Sequence, residues 1–253
     1  MCDIVFSDGS ATPYASDLTL TDDQKSAAIA VIFYAGANTD VLGAKTIGVG
    51  LKNTQGETTK TLVWAPSGTT GYTTKFDEII CTPSDSGSGK AATATFTGDL
   101  DGSDNWAKVC AADTTAQANA ATNYPAFNWV NNYATTNFLT GDYASGWYLP
   151  TVAELSMLYR VKATVNAALE KAGGTKIADT AYWSSSQYSS SHTVLGMCGS
   201  TAAPSTTSAR TTTVRFVEFE LLRRSFAVCE NRPLFFTFSL LFSHSFLTDN
   251  LHI

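Results

Sequence analysis

The residue vocabulary of this chain changes abruptly near residue 188. Residues 1–188 hold all 10 Tyr, all 5 Trp, all 10 Lys and 16 of the 18 Gly, with Arg160 as the single Arg. Residues 189–253 hold no Tyr, Trp or Lys, yet they carry five Arg and 8 of the 14 Phe. A folded domain does not usually switch composition so sharply. The 253 residues suffice for one large domain or two small ones. The break instead divides them into a β-rich part over 1–100, a core over 101–192 and a tail over 193–253 of different origin. The net charge of -6 and the lack of a basic stripe argue against nucleic acid as a partner. No run of about 18 apolar residues is present, so no membrane span is expected.

Local signals are clear in several places. Ile4 to Phe6 reads as a short strand followed by a turn at Asp8-Gly9. Thr21 and Gln24 have the spacing of a capping box that opens a helical turn through Ala27. Ala28 to Tyr34 is a continuous apolar run with β-branched residues, which predicts a buried strand. Ile47 to Leu51 predicts another, its glycines marking close backbone approach. Thr61 to Trp64 reads as a third strand, and residues 83–104 as mostly loop. Asp113 to Ala121 is Ala-rich and predicts a helix that Pro125 ends, with a second short helix over Phe127 to Tyr133. Thr151 and Glu154 form a second capping box. Leu155, Leu158, Val165 and Leu169 then recur at helical spacing and predict one helix over 152–172, closed by Gly173-Gly174. Tyr182 to Ser186 reads as a strand or bend.

The chemistry-bearing residues are sparse. All three His (His192, His244, His252) lie beyond residue 188, so the first part has no imidazole for a Ser-His-Asp triad or a zinc site. Asp99 to Asp104 carries three carboxylates, but the spacing is not that of a calcium loop, and a solvated acidic turn is the stronger expectation. The segment 67–74 lacks the Lys of a phosphate loop. Cys81 and Cys110 have the separation to pair, a question the sequence leaves open. Glu154 is accounted for by its capping box. Trp147, Tyr148, Tyr182 and Trp183 are large enough to touch a ligand, and core packing is the stronger expectation for most of them.

Two motifs, GWYLPTVAELSMLY at 146–159 and YWSSSQY at 182–188, resemble the bacterial domain family related to the C-terminal domain of the Legionella collagen-like protein. The opening DIVFSDGSATPY and LTLTDDQKSAAIAVIFYAG resemble the leading part of treponemal variable surface proteins that carry this domain and are diversified by a retroelement. The resemblance covers residues 3–188. It implies an α+β, C-type-lectin-like fold of the formylglycine-generating-enzyme type, here with an incomplete or aberrant C-terminus. It also implies a non-catalytic binding or adhesion module on a bacterial surface, with no cofactor and no metal. The expected partner is a protein or glycan ligand, met by a monomer through Trp183, Ser185, Gln187, Tyr188 and Ser190. The chain opens at Met1-Cys2-Asp3 with no apolar leader, and a lipidated Cys2 would need one before it; either the chain is cytosolic or its start lies upstream, and the Ser-, Thr-, Asn- and Gly-rich composition favours the second. The reactive Cys pair of the formylglycine-generating relatives has no match at Cys81 or Cys110, so an enzyme is the rival reading.

The family continues with a Trp-x-Val-x-Phe strand, a Gly turn and a closing Val-Arg-x-Val-Arg-Ala-Phe strand, none of which is printed here. Joining the third base of each codon to the first two of the next restores them. Met197-Cys198 then yields Val with no freedom. Residues from Leu195 to Thr213 permit Trp-Asn-Val-Trp-Phe-Asn-Ser-Gly-Ser-Ile-Asn-Tyr-Ile-Ser-Lys-Asn-Asn. Phe216 to Leu222 permit Val-Arg-Arg-Val-Arg-Ala-Phe, and a stop fits across Leu222-Arg223. Most positions permit several residues, but the fixed Val and the near-fixed Arg from Glu220 both fall on family positions. The expectation is a frame shift between Ser189 and Val194, with a non-functional frame-shifted product as a further alternative to the binding module.

Overall fold

A computed structural model of the chain describes residues 2–37, 39–51, 62–83, 95–179 and 181–188, together with the backbone of 194–198, 204–205, 212–213 and 216–218. The chain opens with β1 (Asp3–Phe6) and β2 (Ala11–Pro13). Gly9, at φ 86°, makes the turn between them. In the capping box at Thr21, its N–H donates to Gln24 Oε1 (2.9 Å) and the Gln24 N–H to Thr21 Oγ1 (3.2 Å). This opens α1 (Asp22–Ala27), which runs directly into β3 (Ala28–Ala35) and then β4 (Thr46–Gly50). There follow α2 (Thr70–Thr73), a 3₁₀ turn at Asp77–Ile79, β5 (Cys81–Pro83) and β6 (Phe96–Gly98). Next come α3 (Asn105–Ala112), α4 (Ala120–Asn123), α5 (Pro125–Asn131), α6 (Tyr133–Thr136), a 3₁₀ turn at Gly141–Tyr143 and β7 (Trp147–Tyr148). The remainder is α7 (Val152–Arg160), α8 (Lys162–Lys171), β8 (Ala181–Gln187), β9 (Val194–Cys198), β10 (Pro204–Ser205), β11 (Thr212–Thr213) and β12 (Phe216–Glu218).

The fold is α+β. Its main sheet is antiparallel, in the order β2-β1-β3-β4-β12-β7, with helices on both faces. A second sheet runs β10-β9-β8-β11, with β11 parallel to β8, and β5 pairs with β6. Strand β3 is buried on both sides. Val31 and Phe33 enter one core with Leu155, Leu158, Val165 and Leu169 of α7 and α8. Ala30 and Ile32 enter the other with Val109, Phe127, Val130 and Tyr133 of α3, α5 and α6. Two buried faces explain why Ala28 to Tyr34 shows no polar alternation. The glycine reading in β4 also holds: a Cβ on Gly50 would lie 2.8 Å from the Tyr133 hydroxyl and 2.9 Å from the Trp147 ring.

Four sequence expectations need correction. Leu62 to Trp64 is not a strand, and Thr61 lies outside the described residues. The Trp64 ring is instead inserted among Phe76, Tyr124 and Phe127, so a side chain rather than a ladder holds this segment. Within the polar 83–104 stretch, Phe96–Gly98 is a strand paired with Cys81–Pro83. The Ala-rich helix lies earlier than expected. It ends at Asp113, whose carboxylate accepts from the Thr115 N–H (3.0 Å) and hydroxyl (2.7 Å), a local turn that competes with continuation of the helix. The single helix over 152–172 is two helices, broken where the Val161 N–H bonds the Leu158 carbonyl three residues back (3.2 Å). Its end is as expected: Gly173 at φ 72° closes it, with Gly174 N–H bonded to Leu169 O (2.7 Å) and Gly173 N–H to Glu170 O (3.2 Å).

Candidate functional site

Strand β8 gathers the segments that have no ladder of their own. The Trp64 indole N–H donates to the Ser184 carbonyl (3.0 Å) and the Trp183 indole N–H to the Leu62 carbonyl (2.8 Å). The Ser185 N–H donates to the Pro150 carbonyl (2.7 Å), and its hydroxyl oxygen accepts from the Asn105 amide (2.7 Å). Ser186 Oγ accepts from the Val152 N–H at the start of α7 (3.1 Å). Gln187 uses both ends of its amide, accepting from the Phe76 N–H (2.7 Å) and donating to the Thr74 carbonyl (3.1 Å). These side chains replace secondary structure as partners for loop backbone, which buried backbone groups require.

This arrangement corrects the expected ligand face. Trp183, Ser185 and Gln187 are buried, and their polar atoms are engaged inside the protein. They hold the scaffold and present no surface to a ligand. Tyr188 is half-buried at the end of the strand, and Ser190 lies outside the described residues. Trp147, Tyr148 and Tyr182 are buried, in line with core packing. A run of Ser and Gln looks exposed by composition; only the approach of loops at 62–76 and 150–152 buries it.

Glu154 joins three elements. Its Oε2 accepts from the Thr151 N–H (2.7 Å), the Thr151 hydroxyl (3.1 Å) and the Gly102 N–H (3.2 Å). Its Oε1 accepts from the Tyr148 hydroxyl (2.8 Å). The capping box was legible, but the reach to Gly102 and the complete burial were not. Burial pushes the carboxyl up to about 7, while these donors and Lys45 pull it down. Gly102 has no room for a side chain: a Cβ would meet Leu149 O at 2.7 Å, Thr151 N at 2.9 Å and Glu154 Oε2 at 2.9 Å. Two of these atoms are backbone and cannot swing away. Gly102→Ala is therefore expected to destabilise by ~2–3 kcal/mol, measured as a lower urea midpoint.

Asp99 and Asp104 pair with Lys108 (3.3 and 2.7 Å), and Asp101 pairs with Lys45. Two lysines thus offset most of the charge of the acidic stretch, and no metal-holding group of three His, Cys, Asp or Glu occurs among the described residues. Cys2, Cys81 and Cys110 are free thiols, so Cys81 and Cys110 are not joined. Burial pushes the Cys81 thiol up to about 12, which suppresses the thiolate. Among the described residues no helix is long and apolar enough to cross a membrane. No protein-family model, curated protein or solved structure matches the chain.

Proposed function

We propose that this chain is a C-type-lectin-like display module of a bacterial surface protein, which binds a protein or glycan ligand without catalysis. The observation that carries the reading is the locking of β8. Four segments, at 62–64, 74–76, 105 and 150–152, are tied to it up to Gln187, and Tyr188 then leaves the core half-exposed. A rigid ledge followed by a polar segment is how a variable face is presented with little ordering cost. The ligand contacts of this reading begin at Tyr188 and continue through Ser190. The Cys81 thiol, deeply buried and held protonated, supports the non-catalytic reading over the oxidase-like rival.

The frame shift belongs to the same proposal. Strand β12 pairs with β4 on one side and β7 on the other. Its residues Phe216–Glu218 are those whose codons re-read as the start of the closing Val-Arg-Arg-Val strand. The slot that a closing strand would fill is therefore occupied by the stretch that the restored frame would turn into one.

The test compares the chain as given with a version restored by one nucleotide between codons 189 and 194, and with Tyr188→Ala in the restored version. The restored chain is expected to melt cooperatively and at least ~10 °C higher, because several buried contacts of ~1 kcal/mol each are regained. On an array of glycans and purified extracellular proteins it should bind a ligand that Tyr188→Ala loses at unchanged Tm. Equal melting of the two chains would remove the frame shift. A turnover activity abolished by Cys81→Ser would replace the binding reading with the enzyme.

A further inference from the structure

Helix α6 ends in the same motif as α8. The Leu139 N–H bonds Ala134 O (2.9 Å) and the Phe138 N–H bonds Thr135 O (3.2 Å), the pairing seen at Gly174 and Gly173. That motif needs a left-handed residue, for which glycine is the unstrained choice. At α8 the residue is Gly173; at α6 it is Phe138, at φ 56°, the single non-glycine with positive φ among the described residues. The strain is not offset by packing, because Phe138 is 84% exposed, the most exposed large hydrophobic side chain described. A bulky ring held out in a strained position, with no gain to the core, points to use outside the fold.

Phe138 borders a cavity of about 250 Å³, lined also by Ser7, Ser26, Asn137, Thr140 and Tyr143. The lining is rich in hydroxyls, and none of its residues is Asp, Glu, Lys, Arg or His. Asn137 donates to the Tyr133 carbonyl (2.8 Å), which fixes its Oδ1 as the other end of the amide. That oxygen is buried and accepts no hydrogen bond among the described residues. An uncharged cavity of this size, rich in hydroxyls and with Phe138 among its lining residues, matches a small neutral molecule that has an apolar face and forms hydrogen bonds. A charged ligand would lose hydration with no counter-charge in return.

We propose that this cavity is a subsite for one neutral sugar ring, stacked on Phe138 and hydrogen-bonded by the hydroxyl-lined wall. The proposal is independent of the display reading, since the cavity shares no residue with Tyr188 or Ser190. Saturation-transfer NMR with methyl glucoside, methyl galactoside and methyl mannoside tests it, with N-acetylneuraminic acid and glucosamine as charged comparators. Both the chain as given and the frame-restored chain serve, as their residues up to 188 are identical. At least one neutral glycoside should show transfer and the charged sugars should show none. Phe138→Gly should weaken binding about tenfold or more while raising Tm by about 2–4 °C, and Phe138→Trp should keep binding. No transfer from any neutral glycoside in either chain, or undiminished binding by Phe138→Gly, would overturn the proposal. So would equal binding of a charged sugar. A merely structural Phe138 would give no binding to lose.

Discussion

Glu154→Ala is expected to destabilise the protein by ~3–5 kcal/mol, enough to remove most or all of a typical domain's stability. The side chain is 0% exposed. Its loss leaves the Gly102 N–H, the Thr151 N–H and the Tyr148 hydroxyl without their acceptor in a space closed to water. Glu154→Gln keeps an amide oxygen for the two N–H groups and an NH₂ for the Tyr148 oxygen, so it should cost much less. The two variants also separate charge from shape. Burial raises the Glu154 carboxyl from its ordinary 4.5 to about 7 in the fold. Between these values the folded state holds a proton that the unfolded chain has released. Stability from this group is thus fully present below about pH 4.5 and declines as pH rises through about 7, by of order 3 kcal/mol. Urea midpoints taken between about pH 5 and 8 should fall for the parent and stay flatter for Glu154→Gln. Parallel slopes would show that Glu154 is ionised throughout.

Trp64→Ala should cost ~3–5 kcal/mol, of the size seen when a buried aromatic is truncated. The ring stands 5.3 Å from Phe127, 6.0 Å from Tyr124 and 6.2 Å from Phe76, centroid to centroid. Its N–H also supplies the Ser184 carbonyl of β8. Trp64→Phe retains an aromatic and removes that donor, and is expected to cost ~1–2 kcal/mol. Near-ultraviolet circular dichroism and urea unfolding would measure both. A Trp64→Ala variant as stable as the parent would mean that the loop before α2 is not held by this ring.

Much of the local structure was legible because it depends on neighbours in sequence. Thr21 with Gln24 and Thr151 with Glu154 are contacts within one helical turn, so spacing alone revealed them. Gly173 likewise satisfies carbonyls of its own helix. The strand reading fails over Leu62 to Trp64 because β-branched and aromatic residues fit a strand and a buried peg equally well. Trp183, Ser185 and Gln187, expected at a ligand, are buried for a related reason. Ser185 and Gln187 carry groups that suit solvent or a ligand, and equally suit loop backbone brought close by the fold. Phe138 went unnoticed because a strained backbone angle leaves no mark in composition.

The amino-acid sequence by itself determined both capping boxes, the buried strand at Ala28 to Tyr34 and the break near residue 188. These follow from periodicity, short-range hydrogen bonding and residue usage, which act along the chain. Tertiary structure alone decided that Glu154 is sealed against Gly102, that β8 turns its serines and Gln187 inward, and that Phe138 stands in a glycine's place beside a cavity. Those outcomes depend on which distant backbone groups need a partner once the cores close. Desolvation sets that requirement, and no local pattern encodes it.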